Sequence, residues 1–96
     1  MTFKQQYDEM KAKHPDCVLL MRRGDFYEAY EEDAVTLSEV TGVTLTKGQD
    51  GRVAAFPHYA LDSYLPRLVR AGKRVAICDQ LTAPAPVERV SPLYNK

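Results

Sequence analysis

The chain has 96 residues, with 13 basic and 13 acidic side chains, two histidines and two cysteines. That length suits one domain and is short for two. A net charge of zero speaks against gripping nucleic acid through bulk positive charge. An apolar fraction of 45% with 27% charged residues is that of a folded chain rather than a disordered one.

The longest run of aliphatic side chains, Val18–Met21, is far too short to span a bilayer. The first residues lack a secretory apolar segment, so a cytoplasmic location and no membrane partner are expected. Cys17 and Cys78 each sit in an apolar stretch and are expected to be reduced and buried, not bridged.

Phe3, Tyr7 and Met10 fall on one face at helical spacing, and Pro15 closes that first helix. Cys17 to Met21 is predicted to be a buried strand. A turn over residues 22–25 leads into a second strand from Asp25 to Ala29. Glu31, Glu32 and Asp33 suit the first turn of a helix, where the macrodipole favours negative charge. That helix turns Ala34, Leu37 and Val40 inward and stops at Gly42. Val43–Thr46 and Arg52–Phe56 are predicted to be strands joined by a turn, forming a hairpin. Leu61, Tyr64, Leu65, Leu68 and Val69 make a full amphipathic stripe. Pro66 places the start of that helix near Asp62 or Ser63, so that the ring lies in the first turn. Gly72 ends it, and Arg74–Leu81 is predicted to be a strand. An extended spacer over 82–86, a short strand over 87–90 and a polar tail over 91–96 complete the chain.

The order is α-β-β-α-β-β-α-β, with a further β after it. The fold class is α/β of the α+β type. It is a single mixed sheet of five or six strands with three helices, occupying residues 1–90.

No enzyme constellation is complete. Ala71-Gly72-Lys73-Arg74 holds a Gly-Lys pair, but not the earlier glycine or the following hydroxyl of a phosphate loop. His14 and His58 have no metal-ligand spacing, and the cysteines have no neighbouring base. Pro15-Asp16 opens a nuclease-like pattern that no Asp/Glu-x-Lys completes downstream. No catalytic activity and no cofactor or metal are expected.

One constellation stands out: Arg23-Gly24-Asp25-Phe26-Tyr27-Glu28. On a strand, Phe26 and Glu28 share one face, about 7 Å apart. Two arrangements compete. Phe26 is core and Glu28 a rim charge, or the two form an exposed probe. A Phe wedge can enter a base step and kink the duplex. Mispaired bases have less pairing and stacking to lose. A carboxylate beside the wedge would accept a hydrogen bond from a base edge.

The chain resembles the N-terminal mismatch-recognition domain (domain I) of the MutS family of DNA mismatch repair proteins. The residues that carry the likeness run in order: Gln5-Gln6-Tyr7, Lys11–Pro15, Arg23–Glu28, Asp33-Ala34, Leu45-Thr46-Lys47, Phe56–Ala60, Tyr64-Leu65, Leu68-Val69, Gly72 and Val75–Gln80. The resemblance implies a mixed α/β unit whose Phe-x-Glu motif reads mispaired bases. Phe26 would stack on the mispaired base and Glu28 would hydrogen-bond to it. The implied partner is mismatched double-stranded DNA, bound weakly by this chain in isolation. Arg22, Arg23, Lys47 and Arg52, with Lys73, are the candidate contacts to the DNA backbone. Family members continue into connector, lever, clamp and ATPase domains, and none of these lies within the 96 residues. The chain departs from the family in a short hairpin loop, in Val53–Phe56 before Pro57, in the order His58-Tyr59, and at Pro66. The competing reading is a protein-interaction module that keeps the fold without reading mismatches. The acidic run Glu31–Asp33 and the zero net charge favour that alternative.

Overall fold

The structure is a computed structural model and describes residues 2–49, 51–79 and 87–90, the last four and Asp79 by backbone only. Helix α1 (Phe3–Lys13) opens with a capping box in which Thr2 and Gln5 exchange side-chain and backbone bonds. Strand β1 (Cys17–Arg23) runs two residues further than the predicted Cys17–Met21, leaving only Gly24 and Asp25 between it and β2 (Phe26–Tyr30). Gly24 takes a φ of 60°, which makes so short a reversal feasible. Helix α2 (Glu31–Thr41) stops at Gly42, whose φ of 82° is the left-handed cap that its sequence suggested.

Strand β3 (Leu45–Gly48) starts later than expected. Val43 is instead buried in the core, and its N–H is taken by the Thr41 hydroxyl at 3.3 Å. Strand β4 (Gly51–Pro57) pairs with β3 from Leu45↔Ala54 to Gly48↔Gly51. A 3₁₀ turn (His58–Ala60) then feeds helix α3 (Leu61–Arg70) directly. The helix therefore begins before Asp62, and Pro66 lies inside it, not in its first turn. The carbonyl that Pro66 fails to pair is that of Asp62, an exposed residue that water can satisfy. Strands β5 (Arg74–Asp79) and β6 (Val87–Val90) complete the sheet. The predicted end of β5 at Leu81, the spacer over 82–86 and the tail over 91–96 lie outside the described residues.

The six strands lie in the order β3-β4-β2-β1-β5-β6. All pairs are antiparallel except β1 with β5, which run parallel from Cys17↔Arg74 to Met21↔Cys78. This is the single mixed sheet with three helices that the element order implied.

Each face of the sheet has its own core. On one face α2 and α3 cover Val18, Leu20, Tyr27, Ala29, Ala54, Phe56, Val75 and Ile77. On the other, α1 covers Leu19, Met21, Tyr30, Ala76 and both cysteines. The alternation in β2 is strict: Tyr27 and Ala29 belong to the first core, Tyr30 to the second. Both cysteines are buried and unbridged. The β1–β5 register sets them four positions apart, about 13 Å along the strands and beyond the reach of a disulfide.

A polar tie links the α1 face to α2. Asp33 lies in the first turn of α2, as expected, but is buried. Its Oδ2 accepts from the Leu19 N–H at 3.1 Å and lies 3.0 Å from the Tyr7 hydroxyl, which is also 2.8 Å from the Leu19 carbonyl. Its Oδ1 takes the Lys11 ammonium at 2.9 Å, and the same ammonium donates to the Cys17 carbonyl.

Candidate functional site

The register places Phe26 at one end of the sheet, between Arg23 of β1 and Pro57 of β4. Beyond Pro57 come His58 and Tyr59. The His58 N–H donates to the Asp25 carbonyl at 2.7 Å, tying the start of the 3₁₀ turn to the β1–β2 reversal. Phe26 belongs to neither core and is 45% exposed. The ring is thus an exposed aromatic rather than a core residue. Tyr59, at 79%, is the most exposed large hydrophobic side chain among the described residues. Its ring meets the His58 imidazole edge-on at 5.9 Å.

Glu28 stands on the same face as Phe26, one pair further along β2 and opposite Met21 and Ala55. Its side chain is only 17% exposed. Leaving a carboxylate there without partners would cost several kcal/mol. The Tyr30 hydroxyl donates to Glu28 Oε1 at 2.8 Å, and the Arg23 guanidinium lies 3.7 Å from the same oxygen. Arg23 also stacks over the Phe3 ring, at 4.9 Å from its centroid. Tyr30 is held in turn by Tyr7, edge-on at 5.0 Å, and by Phe3 at 6.2 Å.

Burial, then the hydrogen bond to Glu28, pushes the Tyr30 phenol up to about 12. Burial and the Asp33 carboxylate push Tyr7 up as well. In the unfolded chain both phenols ionise near pH 10, where the folded protein keeps their protons. The folded state therefore binds more protons than the unfolded one above that pH. Stability is expected to be fully present below pH 10 and to fall as pH rises toward 12. Urea titrations of Tyr30→Phe and Tyr7→Phe at pH 9 and pH 11 check this, since each variant should lose part of that alkaline slope.

The predicted cations are distributed unevenly. Arg23 lies beside Phe26 and Glu28. Arg22 does not share their face. It stands opposite Tyr27, with its guanidinium 5.8 Å from that ring and its Nε donating to the Gly24 carbonyl at 2.6 Å. Lys47 is exposed on the β3–β4 hairpin, directly opposite Arg52. Arg52 is engaged with Glu31. Its backbone N–H donates to Glu31 Oε1 at 3.0 Å and its Nε lies 3.5 Å away. That contact holds the Glu31 carboxyl below its usual range, and Glu31 itself has a φ of 53°, in the left-handed region. Lys73 precedes β5 at the opposite end of the sheet, about 20 Å from the Phe26 end as strands run, because Cys17 pairs with Arg74 while Arg23 pairs with Phe26. It lines a cavity of about 590 Å³ between α1 and the start of α2.

Two residues of this end were not singled out from the sequence as site residues. Tyr30 carries the hydrogen bond to Glu28, and the period-2 spacing of Phe26, Glu28 and Tyr30 was the signal that could have found it. Tyr59 is the other, and nothing in its local pattern announced its exposure. Among the described residues no cluster of His, Cys, Asp and Glu could hold a metal ion, and no helix is long and apolar enough to cross a membrane.

Comparison with known proteins gives a consistent result. The family described as MutS domain I matches residues 1–92. The DNA mismatch repair protein MutS of Parabacteroides distasonis is 62% identical over 85 residues, which is 83% of this chain and 10% of that protein. The MutS proteins of Bacteroides thetaiotaomicron and Cytophaga hutchinsonii are 59% identical over 85 residues and 53% identical over 91 residues. These cover 83% and 90% of this chain, and 10% and 11% of the respective relatives. The chain thus spans about a tenth of the length of the curated relatives it matches. A mixed six-stranded sheet with the Phe-x-Glu face at one end, matched over almost the whole sequence, makes this chain a member of the MutS domain I family.

Proposed function

We propose that this domain binds duplex DNA and reads mispaired bases with Phe26 and Glu28. The observation that supports this most directly is the half-exposed Phe26 ring beside a partnered Glu28 on one sheet face, within a MutS domain I fold. Phe26 enters the duplex at the mispair and stacks, a contact of about 1–3 kcal/mol per base. Glu28 accepts a hydrogen bond from the displaced base. Arg23, Lys47 and Arg52 supply backbone contacts, Arg23 and Arg52 by exchanging their internal carboxylates for phosphate. Three cations cannot drive tight binding, so the isolated domain binds weakly and with shallow salt dependence. The domain occupies residues 1–90 and needs no cofactor for this reading.

Titration of labelled homoduplex and G·T-mismatched duplex at low salt tests this, with wild type and Phe26→Ala. The expected result is a mismatch preference that falls about tenfold in Phe26→Ala, the worth of one base stack. Equal binding of both duplexes, unchanged by Phe26→Ala, would sink the reading.

A second reading is favoured by one observation: Arg23, beside Phe26, and Arg52, about 16 Å along β4 from Pro57, both already hold carboxylates of this chain. In that case the Phe26–Tyr59 end docks on protein. The same titration separates the two, because a protein-docking face leaves homoduplex and mismatch equivalent.

A further inference from the structure

We infer that Tyr30 is the positioning residue for Glu28, a phenol clamp anchored by α1 that fixes the carboxylate before any DNA arrives. The inference rests on the proposed mismatch reading and names a further residue of the same site.

Three observations carry it. The Tyr30 hydroxyl donates to Glu28 Oε1 at 2.8 Å, on the same strand face two residues away. The Tyr30 ring cannot follow Glu28 if the carboxylate swings outward, because Tyr30 is buried and pinned by Tyr7 and Phe3. The Arg23 guanidinium lies 3.7 Å from the same oxygen. Among the described residues the two partners of Glu28 therefore both meet Oε1. Oε2 is the oxygen through which the carboxylate can accept from a base while remaining clamped. A free glutamate must lose rotamer freedom when it binds. A clamped one has lost it on folding. The contribution appears as discrimination rather than as overall affinity, because Oε2 meets a base edge only where Phe26 has entered the stack at a weakened pair.

The clamp also binds the domain core to the reader. Tyr7 touches both Asp33 and the Tyr30 ring, so the seating of α1 is coupled to Glu28 through Tyr30.

Two measurements test this. The first needs no DNA: a ¹³Cζ titration of Tyr30 in wild type and in Glu28→Gln. Loss of the carboxylate should lower the phenol from about 12 toward its ordinary value. A titration identical in both proteins overturns the clamp. The second is a double-mutant cycle on the ratio of G·T-mismatch to homoduplex affinity. Tyr30→Phe keeps the ring packing and removes only the hydroxyl. It should lower that ratio about three- to tenfold in the wild-type background and leave it unchanged in Glu28→Ala. An unmoved ratio, or the same loss in Glu28→Ala, overturns the positioning role. Should wild type itself not discriminate, the proposed function falls, and the Tyr30 titration alone decides whether the clamp exists.

Discussion

Phe56→Ala is expected to destabilise the domain by about 3–5 kcal/mol, a large fraction of the roughly 5–14 kcal/mol available to a chain of this size. Phe56 is 2% exposed and bridges two elements. Its ring meets Tyr64 of α3 edge-on at 5.0 Å and Tyr27 of β2 at 5.8 Å. Truncation removes the transfer energy and leaves a void that neither ring can fill without moving. The consequence is local as well as global. Phe56 directly precedes Pro57, the neighbour of Phe26 in the sheet. A domain that survives the change should show its largest amide chemical-shift changes along residues 25–28 and 56–60. Urea denaturation followed by circular dichroism gives the stability. A loss below 1 kcal/mol would mean that the site collapses around the void.

Asp33→Ala is the second large effect, expected at about 3 kcal/mol. If Asp33 only complemented the α2 dipole, as its place in the sequence suggests, its removal would cost about 0.3–1 kcal/mol. The structure gives it a different job. The buried N–H of Leu19 would lose its acceptor, and Lys11 would lose its carboxylate. Orphaning a buried donor costs about 1–3 kcal/mol. Breaking a buried ion pair from one side costs about 3–5 kcal/mol. The lower end applies because the Lys11 side chain is 32% exposed and keeps the Cys17 carbonyl. Thermal unfolding would show the midpoint falling by about 12–24 °C, at about 4–8 °C per kcal/mol for a domain this size. A fall of only a few degrees would return Asp33 to the simple dipole role.

The contrast between these two residues marks what the sequence makes legible. Phe56 ends an apolar run in a strand that the sequence predicts, and as a large aromatic there its burial is unsurprising once it pairs with Tyr27. Asp33 lies in an acidic triplet, and no periodicity separates it from Glu31 and Glu32. Its burial depends on Tyr7 and Lys11, 26 and 22 residues away, reaching it across a strand. The same division holds at the site. That Phe26 and Glu28 share a face follows from strand geometry. Which of the two would be more exposed does not, because it depends on Tyr30 and Arg23 closing on Glu28, with Phe3 of α1 packed against both. The cations were the least legible. Arg22 and Arg23 are adjacent in sequence, yet the pleat sends them to opposite faces. Lys73 is eligible by charge, and only the register of β5 shows it to be at the far end of the sheet. Helix α3 shows the reverse failure. The proline rule shifted its start, but the 3₁₀ turn already commits the chain to helical geometry before Asp62.

The parallel pairing of β1 with β5 has a kinetic consequence. The β1–β2 hairpin closes over two residues and can form as soon as both strands exist. Strand β1, however, has its other edge unsatisfied until residues 74–79 arrive, more than fifty positions later. Closing so long a loop before its contacts reward it slows folding. During synthesis at about 5–20 residues per second, that open edge persists for some seconds on a strand of five buried residues. The interval in which this domain is most exposed to mispairing with another chain is therefore set by the sequence distance between β1 and β5, and it ends only when β5 docks.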